Sequence, residues 1–166
     1  IRDRNAFKRA RNVQAVIFDK TGTLTEGRFG VAALAPVGER SEDDLLRLAA
    51  AVEAHSEHPI AQGITREAQE RGLAVPEVSD FSAITGKGAR GTVEGRELLV
   101  ASPGYLSENA VEVSEETARA VAGEGRTIVY ALDEGELIGA IALSDVIREE
   151  SRQAVDDLKA AGLQAM

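Results

Sequence analysis

An aspartate that could accept a phosphoryl group stands directly after a short apolar run. Asp19 begins the heptapeptide DKTGTLT, and the preceding residues 13–18 (VQAVIF) predict a buried strand. A carboxylate at the C-terminal end of a parallel strand lies where open α/β sheets place their reactive groups. Asp19 could therefore attack the γ-phosphorus of ATP and form an aspartyl phosphate. This approach of two anions requires Mg²⁺, to which Asp19 and the backbone carbonyl of Thr21 could each give an oxygen.

Two further segments carry residue types that suit nucleotide binding. The first, EAHSEHP, runs from Glu53 to Pro59, and the second, TGKGARG, runs from Thr85 to Gly91. A histidine ahead of a helix is usually a surface residue, and we expect this of His55. The glycine pair is a weak signal by itself, because a plain glycine loop between two strands has the same pattern. The segment is not a P-loop, since the Gly-Lys-[Ser/Thr] ending is absent.

The elements that must position these residues follow from hydrophobic periodicity and turn signals. Ser41 opens a helix with a capping box, and Pro59 suits the first turn of the next helix, so the two predict a helical hairpin. Glu94-Gly95 and Glu134-Gly135 are typical of β-hairpin turns. Further helices are predicted over 114–122 and 148–161, and strands over 13–18, within 75–102, over 127–132 and 137–143, and from 163 onward.

This order of elements predicts an α/β fold with an insertion. Residues 1–28 and 142–166 would form a partial Rossmann-like domain, and residues 29–141 would form an inserted α+β domain. Short connections near 26–28 and 144–145 would act as hinges between them.

Composition excludes several classes of function. The net charge of −9 argues against a nucleic-acid partner, although ATP needs only a few local donors. The absence of cysteine excludes disulfides, thiolate catalysis and any Cys-based site for a soft metal. No apolar run approaches the roughly 20 residues that cross a bilayer, and no secretory signal is visible, so we expect a soluble chain.

Together the motifs resemble the cytosolic ATP-binding region of heavy-metal-transporting P-type ATPases, copper-type pumps in particular, within the haloacid dehalogenase superfamily. DKTGTLT resembles the phosphorylation motif of that family. The resemblance implies that Asp19 is the phosphate acceptor in a catalytic loop with Lys20 and Thr21, and that Mg²⁺ is bound by Asp19 and Thr21. The family's later aspartate motifs are absent from this sequence, which implies an incomplete Mg²⁺ site.

The other two segments resemble the nucleotide-binding signatures of the same family. SEHP, which contains Ser56 and His58, implies an adenine contact by His58, with a hydrogen bond from the adenine edge to Glu53. An imidazole can stack on a purine, and a carboxylate can accept from an exocyclic amine. The remaining nucleotide-binding residues implied by the resemblance belong to the glycine pair, where the backbone would approach the ribose and phosphates: Gly86, Lys87 and Gly88.

Two segments near the predicted domain boundaries complete the resemblance. Asp145 and Arg148 match the family's Asp-x-x-Arg at the return into the phosphorylation domain and would mark a hinge, although a charged pair bounding a helix is the plain alternative. Where the family often has Gly-Asn, this chain reads Ala101-Ser102, so the affinity for nucleotide could differ.

The resemblance implies a pump domain, and two alternatives stay open. Phosphatases of the superfamily carry a second aspartate where Thr21 stands, and a threonine cannot transfer protons near neutral pH. The alternatives are a soluble phosphatase and a nucleotide-binding module without turnover. The pump interpretation implies ATP as ligand, membrane helices and an actuator domain as partners, a place on the cytoplasmic side of a membrane, and no transported metal bound here. Alone, the chain should bind ATP with little turnover.

Overall fold

The fold is described by a computed structural model that covers residues 13–165, the side chain of Thr21 excepted. The chain divides into two compact units. The larger runs from Phe29 to Ser144, and the smaller combines the residues before it with those from Asp145 onward. Among the described residues, no helix is long and apolar enough to span a membrane.

A six-stranded sheet forms the centre of the larger unit. Its order is β2-β7-β6-β5-β4-β3, and every pairing from β7 to β3 is antiparallel. The sheet and its helices agree with the predicted α/β fold class. The strands are β2 (Thr25–Pro36), β3 (Val78–Ile84), β4 (Gly88–Val93), β5 (Arg96–Ala101), β6 (Thr127–Asp133) and β7 (Glu136–Ile147).

Both predicted β-hairpin turns are confirmed. Glu94 and Gly95 have φ of 53° and 79°, and Glu134 and Gly135 have φ of 50° and 84°. Two successive residues with positive φ are the signature of a type I′ turn, whose twist matches that of the flanking strands. These turns fix the register of β4 with β5 and of β6 with β7.

The predicted helical hairpin is also confirmed. Helix α1 (Glu42–Glu53) begins after Ser41, whose Oγ accepts a hydrogen bond from the Asp44 amide at 3.1 Å. Helix α2 (Pro59–Glu70) has Pro59 in its first turn and is followed by Gly72 with φ of 67°. The cap satisfies an amide that the helix leaves free, and the proline has no amide to leave unpaired.

Helices cover both faces of the sheet, and β5 shows the result most clearly. Leu98 and Val100 pack into one core cluster with α1 and α2. Leu99 and Ala101 pack into a second cluster, with α3 (Pro103–Glu108) and α4 (Glu115–Val121). Because side chains alternate between the faces of a strand, a strand buried on both sides is a continuous apolar run.

The smaller unit contains one parallel pair of strands. Strand β1 (Ala15–Val16) pairs with β8 (Gln164–Ala165), and helix α5 (Glu149–Ala160) precedes β8. The prediction of a buried strand over 13–18 is wrong, since β1 has two residues and Ile17 is 80% exposed. A single pair of strands cannot cover its apolar side chains on both faces, as larger parallel sheets do.

Two elements of the larger unit were not predicted. Strand β2 occupies an edge of the sheet and contains Gly27 and Gly30, which weaken the strand pattern in the sequence. Helix α3 has only six residues, too few to show a helical period. The predicted connections at 26–28 and 144–145 lie inside β2 and β7, so neither is a separate loop. Their role as hinges stays a prediction.

Candidate functional site

The larger unit contains a cavity of about 340 Å³ where the loop between α1 and α2 meets the turn between β3 and β4. This volume lies in the range of small-molecule sites, which is about 300–1,000 Å³. The predicted nucleotide-binding residues all line this cavity: Glu53, Ser56, His58, Gly86, Lys87 and Gly88. Their roles stay predictions, but the structure places them together.

Glu53 brings a buried carboxyl group to the cavity. It is the last residue of α1, and only 7% of it is exposed. Burial raises the pKa of Glu53 from 4.5 to about 7, because the charged form loses its hydration, and hydrogen bonding with Ser56 offsets part of the rise. The loop is held beside it by a hydrogen bond from the Ser56 amide to the Glu53 carbonyl at 3.0 Å.

His58 is held in place by the helix that follows it. Its Nδ1 accepts a hydrogen bond from the Ile60 amide at 3.2 Å, so the imidazole caps α2. The His58 amide in turn donates to Oγ of Ser56 at 3.4 Å. The ring is exposed and lines the cavity, and its Nδ1 is already hydrogen-bonded to the backbone. It is therefore a pre-oriented surface for a planar ligand.

The glycine turn brings the backbone close to the cavity. Gly86 has φ of 69°, and the Lys87 amide closes the turn by donating to the Ile84 carbonyl at 2.8 Å. Gly88 has φ of 142°, and a Cβ built there would lie 2.0 Å from the carbonyl oxygen of Val100. Only glycine fits at such an approach of two strands.

The side chain of Lys87 forms an ion pair with Glu108, the last residue of α3. Positive charge at Lys87 was predicted to serve the ligand's phosphates, whereas this partner was not predicted. Residues 21 positions apart give no local signal of a contact.

The remaining lining of the cavity is largely apolar, and most of it was not predicted. These walls suit a planar ring, but in the sequence their residues have the same pattern as core residues. Ala101 and Ser102 were singled out as a departure from the family pattern, and both line the cavity. The others are Ile60, Ala83, Ile84, Thr85, Ala89, Val100 and Val129.

The candidate phosphate acceptor belongs to the smaller unit. Asp19 is exposed and extended, and it precedes a helical turn over Lys20–Leu24. Its side chain makes no capping hydrogen bond, so the carboxylate is not used to hold the turn. Lys20 Nζ lies 3.9 Å from Asp145 Oδ2. The side chain of Thr21, also predicted to be catalytic, lies outside the described part of the chain.

Thr25 and Arg148 fix the end of this turn. Thr25 is 1% exposed, and its Oγ1 accepts from the Gly22 amide and donates to the Lys20 carbonyl, both at 3.3 Å. The Arg148 Nε donates to the Thr25 carbonyl at 3.1 Å. Asp145 lies in β7, so the alternative that Asp145 bounds a helix is wrong, whereas Arg148 does precede α5.

The described residues do not make a complete magnesium site. No group of three or more His, Cys, Asp or Glu side chains within residues 13–165 could hold a metal ion. The two predicted ligands, Asp19 and the carbonyl of Thr21, would supply only two oxygens, whereas Mg²⁺ takes a near-octahedral shell.

Comparison with known proteins gives consistent matches. The sequence matches the haloacid dehalogenase-like hydrolase family over residues 13–166. It is 53% identical to copper-exporting P-type ATPase B of Archaeoglobus fulgidus, over 100% of this chain and 24% of that protein. The chain thus spans about a quarter of that relative's length.

Solved structures of related ATPases have a similar fold. The fold is similar to a zinc-transporting PIB-type ATPase, with a TM-score of 0.81 and 36% identity over 93% of this chain and 25% of that one. It is also similar to the catalytic domain of the CPx-ATPase CopB-B, from work on conformational changes upon nucleotide binding. That match has a TM-score of 0.62 and 30% identity over 99% of this chain and 57% of that one.

Proposed function

Because this chain belongs to the haloacid dehalogenase-like hydrolase family and aligns along its whole length with a copper-exporting P-type ATPase, we propose that it is the ATP-binding and phosphorylation region of a heavy-metal pump. The single observation that carries the proposal is the cavity of the larger unit, which brings together a buried carboxyl group, a capped imidazole and a glycine turn. Copper is the first candidate for the transported ion.

The cavity offers a separate partner for each part of ATP. The apolar walls would hold the adenine, and Glu53 would accept a hydrogen bond from its exocyclic amine. The ring of His58, fixed by the α2 cap, would lie against the purine. The backbone at Gly86 and Gly88 would approach the ribose and phosphates, with Lys87 supplying positive charge.

In this proposal Asp19 accepts the γ-phosphoryl group. A carboxylate oxygen of Asp19 forms a bond to the γ-phosphorus while the bond from that phosphorus to the bridging oxygen breaks, so ADP leaves with the electron pair. The exposed carboxylate, unused in any cap, supports this role. Magnesium would need further ligands from elsewhere in the pump.

In this proposal the chain lies on the cytoplasmic side of a membrane. Residues 1–28 and 142–166 form a partial phosphorylation domain, and residues 29–141 form a nucleotide-binding domain. Membrane helices and an actuator domain would be its partners. Because Thr21 cannot act as a general base, the aspartyl phosphate would persist until another domain supplied one. A soluble phosphatase would instead need a proton-transferring group at that position.

Calorimetric titration with ATP tests the nucleotide site. We expect one saturable site, and we expect His58→Ala to weaken binding about tenfold, equivalent to about 1.4 kcal/mol. The matched control is His55→Ala, because His55 does not line the cavity and its ring contacts Phe81 edge-on at 5.9 Å between centroids. Equal affinities for the two variants, or no binding by the folded wild-type chain, would contradict the assignment.

A further inference from the structure

Lys87 combines a backbone that is fixed by hydrogen bonds with a charged side chain that can change its partner. Within the described residues it is the one lysine or arginine that lines the cavity. Its amide donates to the Ile84 carbonyl at 2.8 Å, and its carbonyl accepts from the Ser102 amide at 2.7 Å. The backbone is therefore held from both sides, and only the side chain can change its partner.

Glu108 is held opposite this lysine by a separate element. It ends α3, a helix that starts directly after the cavity residue Ser102. Leu106, two residues earlier, is 3% exposed and anchors α3 in the second core cluster. The ion pair between Lys87 and Glu108 thus joins two segments that are each fixed by other contacts.

The pair is strong enough to form and weak enough to be displaced. The side chains of Lys87 and Glu108 are 40% and 58% exposed, respectively. Exposed ion pairs contribute little to stability and are screened by salt. A triphosphate offers more negative charge than one carboxylate, and its oxygens accept the same charge-assisted hydrogen bonds from a lysine.

We propose that Glu108 competes with the phosphate groups of the nucleotide for Lys87, and so determines how strongly the site favours phosphorylated over unphosphorylated nucleosides. The inference rests on the proposed function of the cavity. Before the ligand arrives, Glu108 neutralises the lysine; when phosphates bind, the lysine exchanges one anion for another. The affinity for ATP is therefore lower than the lysine alone would give.

Glutamine at position 108 tests this competition, because it removes the charge and keeps the shape. ATP and adenosine are titrated separately into the wild-type chain and into Glu108→Gln, with binding followed by nuclear magnetic resonance so that weak affinities are measured. We expect ATP to bind about two- to five-fold more tightly to the variant at low salt, and adenosine to bind equally to both. The gain should shrink at high salt.

Glu115→Gln is the matched control. Glu115 also forms an exposed ion pair, with Arg119 on α4, and does not line the cavity. The variant carries the same change in net charge, so it should bind ATP as the wild-type chain does. A gain equal to that of Glu108→Gln would assign the effect to overall charge and overturn the proposal.

The Lys87→Met background separates the lysine from the direct repulsion of phosphate by Glu108. If Glu108 acts through Lys87, the gain from Glu108→Gln disappears in this background. A gain that persists there, or weaker ATP binding by Glu108→Gln in the wild-type background, would overturn the inference. ATP binding with no effect of position 108 would remove this inference alone, whereas absence of ATP binding by the wild-type chain would remove the proposed function with it.

Discussion

Replacing Glu53 by glutamine is expected to stabilise the larger unit at pH 8 by at most about 3–4 kcal/mol, and to have little effect near pH 4. Burial raises the pKa of Glu53 from 4.5 to about 7, and only 7% of the residue is exposed. The difference between these pKa values is about 2.5, and each unit corresponds to about 1.4 kcal/mol. At high pH the wild-type chain therefore loses folding stability by ionising a buried carboxyl group, whereas the glutamine variant does not.

The direction of the pH dependence follows from the protonation of Glu53 in the folded and the unfolded chain. Below pH 4.5 the carboxyl group is protonated in both the folded and the unfolded chain, and it adds no pH dependence. Between pH 4.5 and about 7 the unfolded chain loses the proton while the folded chain keeps it, so stability falls as the pH rises. Above that range both states are ionised, and the penalty stays constant.

Urea unfolding followed by tyrosine fluorescence measures this difference. The chain has two tyrosines and no tryptophan, and both tyrosines, Tyr105 and Tyr130, belong to the larger unit. The signal therefore reports that unit without contribution from the smaller one. Glu57→Gln is the control, because Glu57 lies in the same loop region but is exposed. A constant difference between wild type and Glu53→Gln from pH 4 to pH 8 would contradict the raised pKa.

Gly88→Ala should destabilise the larger unit by about 2–6 kcal/mol, the sum of overpacking and backbone strain. The added Cβ would lie 2.0 Å from the Val100 carbonyl oxygen and 2.9 Å from the Ala101 Cα, both backbone atoms of β5. Because Gly88 is paired with Ala101, the two strands would have to separate at the edge of the cavity. The φ of 142° adds strain for any residue with a Cβ.

Gly86→Ala separates crowding from strain in the same turn. Gly86 also has a positive φ, 69°, but a Cβ there would meet nothing within 4 Å. We expect only the strain cost, about 1–2 kcal/mol. Tyrosine fluorescence in urea again gives both values, and equal costs for the two alanine variants would show that the approach of Gly88 to β5 is not constraining.

The features predicted correctly from sequence depend on short-range chemistry. Ser41 caps a helix through an amide three residues away, and Glu94-Gly95 adopts positive φ because of its own residue types. The two missed elements have no such signal. Strand β2 is specified by its place beside β7, and the six-residue α3 by burial of Leu106. Long-range packing decides both, and it is not visible in a local window.

The candidate site divides in the same way. Its polar and glycine residues were predicted because the segments that carry them, EAHSEHP and TGKGARG, resemble the nucleotide-binding signatures of a known family. Its apolar walls were not predicted, since Val100 and Val129 belong to continuous runs of buried residues and look like any other core residues. Glu108 was missed because its meeting with Lys87 depends on how α3 packs. The exposure of Ile17 was missed for the same reason: whether a strand is buried depends on the strands packed beside it, which the local sequence does not show.

The cap that His58 provides to α2 also decides which tautomer the imidazole adopts. Since Nδ1 accepts from the Ile60 amide, the hydrogen of the neutral ring is carried by Nε2. The ring can thus offer a ligand its face or one donor, but no acceptor. A ligand or metal ion that captured Nδ1 would leave the Ile60 amide unpaired, at a cost of about 1 kcal/mol typical of a lost N-cap. Helix capping therefore makes Nδ1 of His58 a poor site for a competing ligand.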